Sequence, residues 1–247
     1  CCPLPTALLS AHTGFSGNTF LDLTVEMGRI ADHWAALDLQ FDAIYSGFLG
    51  SADQVDTVAR FFDTFKKSGT AVIVDPVMGD HGKPYRTITP KHCQKLRSLI
   101  PLADIITPNI TEACLLTDTP WKDGFWNESE LSELCQRLHK LGPSKIVITG
   151  LPCLIHGKEG FENYLSCKEP FSQRACLTPS AGPSRHGTGD IFASILMADA
   201  LNGVDFSVSV QKAADFISKC ISASKALQIP EPDGVCFENF LSDLADQ

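Results

Sequence analysis

The sequence predicts an α/β fold in which helices flank a mostly parallel central sheet. Four short runs rich in β-branched residues recur along the chain, and segments with helical spacing of apolar residues separate them. Such alternation is typical of βαβ units. The 247 residues, 44% of them hydrophobic, are enough for one large domain and few for two, so we expect a single domain over residues 1–247.

The predicted strands cover residues 43–45, 71–74, 104–107 and 145–149. Polar residues or glycine stand at each carboxyl end, as Ser46-Gly47, Asp75-Pro76, Thr107-Pro108-Asn109 and Thr149-Gly150. Open α/β sheets bind ligands at that edge, so these endings predict a binding site. Ordinary loop chemistry is the alternative for any single one of them.

Capping residues mark the starts of three predicted helices, at Ser51 with Gln54, at Asn127 with Glu130, and at Thr89 before Pro90. The last of these extends to about Leu99, and Gly142 ends the helix that Asn127 begins. Apolar spacing predicts further helices over about 22–37 and 208–227.

The pattern changes between residues 149 and 173. Apolar segments at 153–156 and 163–165 flank a predicted turn at residues 157–160. We expect an antiparallel hairpin at the edge of the sheet.

Charge and cysteine usage narrow the class of ligand. The formal net charge is -9, and no basic cluster exceeds the Lys66-Lys67 pair, which argues against a nucleic-acid partner. Ten cysteines are scattered without a CxxC pair, which predicts free thiols and a reducing, cytoplasmic location. No apolar run approaches the roughly 18 residues of a membrane span, so we expect a small-molecule ligand and no membrane partner.

Several familiar motifs are absent from the sequence. Neither GxGxxG nor GxxxxGK[ST] occurs, which argues against the usual dinucleotide fold and against a P-loop NTPase. The chain also lacks HExxH, zinc-finger spacing and GxSxG, which argues against a zinc site and an α/β-hydrolase.

The segment Gly187-Thr188-Gly189-Asp190 runs into an apolar helical pattern that begins at Ile191. Glycines let the backbone turn tightly, and the N–H groups of a helix N-terminus bind anions. Asp190 stands inside this predicted anion site. Its carboxylate either takes a proton during phosphoryl transfer or is a first-turn acid that stabilises its helix.

Four phrases occur in a specific order, namely Asp75-Pro76-Val77-Met78-Gly79-Asp80, Thr107-Pro108-Asn109-Ile110-Thr111-Glu112, Val147-Ile148-Thr149-Gly150 and Gly187-Thr188-Gly189-Asp190. Together they resemble the ribokinase-like superfamily, and within it the pyridoxal kinase family. The resemblance implies a three-layer ribokinase-like fold and ATP-dependent phosphorylation of the 5'-hydroxymethyl group of a B6 vitamer. It also implies a homodimer.

The resemblance assigns roles around the phosphates. Asp190 is implied to be the catalytic base, within an anion hole formed by Gly187, Thr188 and Gly189. Asp75, Asn109 and Glu112 match positions that organise Mg²⁺ and ATP, although loop capping is the alternative for each. Thr107 and Thr149 match positions that bind phosphate or a monovalent cation such as K⁺, or they are hydroxyls that finish a strand. Asp80, Lys83 and Tyr85 match the family's mobile flap.

The resemblance also assigns a substrate side. Residues 6–14 and 46–50 resemble the segments that hold the pyridine ring, which implicates Ser10, His12, Thr13 and Phe48. Phe48 is often a tyrosine in relatives. His186, beside the predicted anion hole, faces either substrate or solvent.

Two alternatives remain. A hydroxymethylpyrimidine kinase of thiamine synthesis has a similar acceptor, but its relatives usually carry a cysteine where Thr188 stands. A non-catalytic ATP- or vitamer-binding protein is the other, because residues 1–12 supply neither the family's first strand nor the serine-bearing segment after it. We expect weak or no activity if the chain begins at Cys1.

Overall fold

The computed structural model describes residues 1–12 and 15–245. A six-stranded sheet forms its centre, with the strand order β10-β9-β8-β7-β4-β3. These strands are β3 (Ala43–Ser46), β4 (Ala71–Val74), β7 (Ile105–Ile106), β8 (Lys145–Ile155), β9 (Lys158–Cys167) and β10 (Ser172–Pro179). Pairing is parallel from β3 to β8, and β9 and β10 add antiparallel strands at one edge.

Two smaller pairs of strands lie outside this sheet. They are β1 (Ala7–Leu9) with β2 (Phe20–Asp22), and β5 (Gly79–Asp80) with β6 (Lys83–Pro84), both antiparallel. The helices are α1 (Thr24–Ala36), α2 (Ala52–Phe65), α3 (Pro90–Leu96), α4 (Ile110–Thr117), α5 (Glu128–His139), α6 (Thr188–Leu201) and α7 (Phe206–Ala226). Short 3-10 segments cover Ile100–Leu102, Glu231–Asp233 and Glu238–Leu244.

The sheet separates two apolar cores. Alternate residues of β4 point to opposite faces, so Val72 and Val74 join the core beneath α1 to α5, whereas Ile73 joins the core beneath α6 and α7. Helices therefore cover both faces of a mostly parallel sheet. The predicted three-layer α/β architecture with an antiparallel edge hairpin is confirmed.

Local hydrogen bonds form the predicted helix starts. The Ser51 hydroxyl accepts the Gln54 N–H at 3.4 Å, and the Thr89 hydroxyl accepts the His92 N–H at 3.2 Å. Asn127 and Glu130 form a reciprocal capping box. Each such bond satisfies an N–H that the first helical turn cannot pair internally.

Several predicted boundaries are wrong. The strand placed over 145–149 continues to Ile155 with a bulge between Ile148 and Leu151, because it pairs with β9 along the hairpin, so Thr149 and Gly150 lie inside β8. The helix placed over 208–227 spans Phe206–Ala226.

The helix placed over 22–37 begins at Thr24, because Asp22 ends β2 and its carboxylate accepts the Thr24 N–H at 2.7 Å. The helix placed up to Leu99 ends at Leu96 and continues as a 3-10 turn. The hairpin turn placed at 157–160 consists of His156 and Gly157, with positive φ angles of 50° and 78° that suit a two-residue turn, and Lys158 already lies in β9.

Within the described part of the chain, no helix has both the length and the apolar character needed to cross a bilayer. All ten cysteines are free thiols, and four of them are buried.

Candidate active site

Polar residues from separate strands meet at the carboxyl edge of the sheet. The Asp75 N–H donates to the Ser46 carbonyl at 2.8 Å, so the end of β4 lies against the end of β3. Asn109, just beyond β7, pairs in a parallel bridge with Thr149, which lies within β8. Thr107 is buried at the end of β7. The sequence-predicted residues of the phosphate side thus lie on neighbouring strands.

Helix α6 begins at the same edge. Its N-cap is Gly187, with φ 84°, a left-handed conformation that favours glycine. A glycine cap has no side chain to occupy the first N–H groups of the helix, so these groups can receive an anion. Asp190 lies in this first turn, and the Thr188 hydroxyl donates to the Arg185 carbonyl at 3.2 Å, which fixes the loop before the helix.

Two carboxyl groups at the edge have raised pKa values. Burial, followed by the charge of Asp190, raises the pKa of Asp75 to about 7. Burial, followed by the charge of Asp75, raises the pKa of Glu112 well above its usual range. Among the described residues, no ion pair involves Asp75, Glu112 or Asp190. A cation bound at this edge would therefore favour the charged forms of these carboxyl groups.

Glu112 is 3% exposed, and backbone donors occupy both of its oxygens. Oε1 accepts the Met78 N–H at 3.0 Å and Oε2 accepts the Asn109 N–H at 2.9 Å. In return, Asn109 Oδ1 accepts the Glu112 N–H at 2.9 Å, and Asn109 Nδ2 donates to the Gly79 carbonyl at 2.9 Å. Asn109 and Glu112 are thus the capping box of α4, a helix that the sequence analysis did not predict.

The described residues contain no cluster of three or more His, Cys, Asp or Glu side chains that could hold a metal ion by themselves. Mg²⁺ in nucleotide sites commonly takes one or two carboxylates and completes its shell with water and phosphate oxygens. The half-buried carboxylate of Asp75, which forms no ion pair with the described residues, fits that donor set. Glu112, whose oxygens already accept backbone N–H groups, fits a supporting position.

Asp80, Lys83 and Tyr85 lie on a short hairpin beside Asn109. Its turn consists of His81 and Gly82, both with positive φ, and the Gly82 N–H donates to the Thr111 hydroxyl at 2.9 Å. Burial, aided by Glu112, Asp80 and Asp75, raises the pKa of Tyr85 to about 12. The structure therefore attaches the segment predicted as a flap to the first turn of α4.

Residues predicted on the substrate side occupy two places. The Ser10 hydroxyl accepts the Thr19 N–H at 2.9 Å, within the β1–β2 pair. The Phe48 ring packs edge-on against Phe20, with centroids 6.5 Å apart. His12 lies elsewhere, with its ring centroid 4.2 Å from that of His186. Thr13 lies outside the described residues.

His12 and His186 adjoin the segment that follows α7. His12 Nε2 lies 2.6 Å from the Pro232 carbonyl oxygen. Burial, followed by the proximity of His12, lowers the pKa of His186. The neutral imidazole of His186 is thereby favoured, and its ring can contact an aromatic ligand.

Arg185 is a residue of this site that the sequence analysis missed. It is only 6% exposed, and its Nη1 donates to the Pro230 and Gly234 carbonyls at 3.0 and 2.8 Å. Nη2 donates to the Ile229 carbonyl at 2.8 Å. Arg185 therefore fastens the segment 229–234, which also contacts His12, to the loop before α6. In the sequence, only its position two residues before Gly187 indicated that Arg185 lies near the predicted anion site.

Tyr45 was also missed. Its hydroxyl donates to Asp190 Oδ1 at 3.2 Å, across 145 positions of sequence. Burial, followed by the charges of Asp75 and Asp190, raises the pKa of this phenol, so it stays protonated and remains a donor. Its position at the end of a predicted strand was a signal that the residue lies at the functional edge.

Comparisons with known proteins identify similar chains. Residues 24–234 match the family model described as phosphomethylpyrimidine kinase. Pyridoxine kinase of Bacillus subtilis is 29% identical over 184 residues, which cover 74% of this chain and 65% of that protein. Hydroxymethylpyrimidine/phosphomethylpyrimidine kinase of Haemophilus influenzae is 32% identical, and the match covers 75% of this chain and 66% of that protein. The chain thus spans slightly less than two thirds of either relative.

A solved structure extends the similarity to the whole fold. A Bacteroides thetaiotaomicron protein assigned as a phosphomethylpyrimidine kinase, crystallised with pyridoxal, superposes with a TM-score of 0.92 and 34% sequence identity. The superposition covers 99% of this chain and 85% of that one.

Proposed function

The chain belongs to the phosphomethylpyrimidine kinase family, as its resemblance to the pyridoxal kinases of the ribokinase-like superfamily predicts, and we propose that it phosphorylates the 5'-hydroxymethyl group of a B6 vitamer with ATP. One observation carries the proposal. Asp190 stands in the first turn of a glycine-capped helix, next to the half-buried carboxylate of Asp75. This arrangement puts a base beside an anion-binding backbone.

Asp190 takes the proton of the acceptor hydroxyl. The freed oxygen then forms a bond to the γ-phosphorus as the bond from that phosphorus to the β,γ-bridging oxygen breaks, and ADP leaves with the electron pair. General-base assistance of this kind contributes about 10² to 10⁴ in rate.

The N–H groups of residues 187–189 receive the developing charge on the transferring group. Preorganised donors of this kind act strongly because they need no reorganisation during the reaction. Thr188 contributes through its hydrogen bond to the Arg185 carbonyl, which holds these N–H groups in place.

Asp75 is the residue that would hold Mg²⁺, with Glu112 and Asn109 ordering the loop around it. When bound, the metal would neutralise charge on the phosphates. We extend the proposal to Thr107, directly after β7, and to Thr149, at the bulge of β8, whose hydroxyls at this edge of the sheet suit phosphate or a monovalent cation such as K⁺. Asp80, Lys83 and Tyr85 would cover the γ-phosphate and keep water from it.

The substrate side supports a planar heteroaromatic acceptor. His12 and His186 offer adjacent imidazoles, and Phe48 offers an apolar ring, so aromatic contact and hydrogen bonding to ring substituents are both available. We propose these residues as the walls of the vitamer site, together with Ser10 and Thr13. The pyridoxal complex of the Bacteroides protein supports the choice of a B6 vitamer.

Hydroxymethylpyrimidine is the second candidate acceptor. The similarity to the Haemophilus enzyme favours it, since that match is as close as those to the B6 kinases. Thr188, in a position where hydroxymethylpyrimidine kinases usually carry cysteine, favours the vitamer.

A coupled assay for ADP tests the proposal with pyridoxal, pyridoxine, pyridoxamine and hydroxymethylpyrimidine as separate acceptors. The wild type should phosphorylate at least one vitamer, and Asp190→Asn should lower kcat by about 10² to 10⁴ while ATP binding persists. Asp32→Asn, on the exposed face of α1, is the matched control and should leave turnover unchanged. Turnover of hydroxymethylpyrimidine alone would establish the second candidate, and vitamer binding without any turnover would identify a binding protein.

A further inference from the structure

Tyr45 contacts the base of the proposed reaction, although nothing in the motifs that define the site includes it. We propose that Tyr45 is a positioning residue, whose phenol holds Asp190 Oδ1 so that the other carboxylate oxygen is directed at the acceptor hydroxyl. This inference rests on the proposed function of Asp190. It concerns the orientation of the base and adds no further catalytic group.

The tertiary structure fixes the phenol. Tyr45 lies on β3, paired in parallel register with Ile73, and its ring packs against the apolar core under α6 and α7. Asp190 lies in the first turn of α6, which packs on that same face. Because the strand and the helix are both held by this core, the 3.2 Å contact between the hydroxyl and Asp190 joins two rigid elements.

Gly47 leaves space for this contact. A Cβ built on Gly47 would lie 2.8 Å from Tyr45 Oη, closer than real Cβ atoms approach, and 3.2 Å from Tyr45 Cζ. A larger residue at position 47 would therefore push against the phenol that contacts Asp190. Strand β3 carries the donor, and Gly47, directly after the strand, leaves the space that the donor requires.

A carboxylate in the first turn of a helix can rotate about its last side-chain bond. A donor fixed on one oxygen restricts that rotation, and a misplaced catalytic group can lower the rate by as much as about 10²-fold. The phenol also stays protonated beside two carboxylates, because burial and their negative charge disfavour the phenolate. It can therefore donate throughout the reaction.

The test is a double-mutant cycle with Tyr45→Phe and Asp190→Asn. In the wild-type background, Tyr45→Phe should lower kcat about 5- to 50-fold and leave the KM for ATP within about twofold. In the Asp190→Asn background, the same change should lower the residual rate less than about twofold, since no base remains to orient. Gly47→Ala should reproduce the loss of kcat.

Tyr164→Phe is the matched control. Its hydroxyl donates to Gln173 Oε1 at 3.3 Å, in the core on the opposite face of the sheet, so removing that hydroxyl should leave kcat within about twofold. Equal losses from Tyr45→Phe in both backgrounds, or no loss in the wild type, would overturn the inference. Full activity of Asp190→Asn would instead contradict the proposed function.

The unfolding midpoints of the wild type, the two single variants and the double variant provide a second readout that does not require catalytic activity. If Tyr45 and Asp190 interact, the midpoint change of the double variant should differ from the sum of the changes of the two single variants. Strict additivity would overturn the inference even if the chain were inactive.

Discussion

Gly189 lies so close to Asp75 that a Cβ built on the glycine would stand 3.6 Å from Asp75 Oδ2. This proximity brings the first turn of α6 against the carboxyl end of β4. The half-buried acid Asp75, the N-terminus of α6 and the Asp190 carboxylate are thus neighbours at this edge of the sheet.

Asp75→Asn should stabilise the protein in a pH-dependent way when Mg²⁺ and nucleotide are absent. Burial and Asp190 raise the pKa of Asp75 to about 7, whereas an unfolded aspartate titrates near 3.9. Between these values the folded state holds a proton that the unfolded state has lost, so the free energy of unfolding falls as pH rises. The asparagine variant avoids this loss, and its advantage over the wild type should grow from pH 5 to pH 8.

Urea unfolding at pH 5, 6.5 and 8 measures this effect. Each pH unit in the window can change the unfolding constant by at most about tenfold. Asp32→Asn, which removes an exposed acid of α1, should show no such trend. A stability difference independent of pH would contradict the raised pKa of Asp75.

Gly187→Ala should lower the stability of the protein, whereas Gly189→Ala should lower its activity without lowering its stability. Gly187 has φ 84°, so alanine there strains the backbone and should cost about 1 kcal/mol or more of stability. Gly189 lies within α6 without a positive φ, and alanine there should hold or slightly raise stability. Its methyl group would enter the anion site and should lower kcat at least about tenfold.

Urea midpoints and initial rates of both variants provide the comparison. Full turnover by Gly189→Ala would mean that the phosphoryl group does not approach this backbone.

Arg185→Met should destabilise the protein by roughly 2–3 kcal/mol, because it removes three part-buried hydrogen bonds from a charged group to backbone carbonyls. The KM for the vitamer should rise more than kcat falls, since the released segment also contacts His12. Arg137→Met is the control, as its exposed ion pair with Glu133 contributes less than about 1 kcal/mol. Chemical denaturation measures the stability change, and steady-state kinetics measures the KM and kcat. Equal stability losses and equal KM values for Arg185→Met and Arg137→Met would contradict the prediction.

Gly82→Ala should loosen the hairpin that carries Asp80, Lys83 and Tyr85. An added Cβ would lie 2.5 Å from the Trp121 ring, in addition to the strain of φ 74°. Water would then reach the γ-phosphate more readily, so ADP formation without acceptor should rise severalfold relative to vitamer phosphorylation. Gly124→Ala has a similar φ of 85° with open space around the Cβ, and it should leave that ratio unchanged.

ADP release measured with and without pyridoxal gives both rates. An identical ratio for Gly82→Ala and Gly124→Ala would show that the hairpin does not exclude water.

Some features depend only on residues that are close in the chain, so the sequence alone predicts them. The caps at Ser51, Thr89 and Asn127 join residues three positions apart, so residue types at fixed spacing suffice to predict them. Three of the four strand endings were also predictable, because parallel strands present their carboxyl ends at one edge, whereas β8 continues past Thr149 and Gly150 into the hairpin. The capping-box spacing of Asn109 and Glu112 could likewise have predicted α4, but loop capping was considered there only as an alternative to ligand binding.

Other features depended on which surfaces meet after folding. Lys158–Gly160 have turn-like residue types but lie in β9, because β8 and β9 pair along most of their length and leave only His156 and Gly157 to turn. Pairing energy over a long hairpin outweighs the local preference of one or two residues.

The sequence by itself determined the alternation of strands and helices and the capped helix starts, because periodicity and short-range hydrogen bonds encode them. Only the tertiary structure decided that Tyr45 reaches Asp190 and that Arg185 holds the segment 229–234. Those contacts join residues 145 and 49 positions apart, and they arise because packed strands and helices bring distant side chains within hydrogen-bond distance.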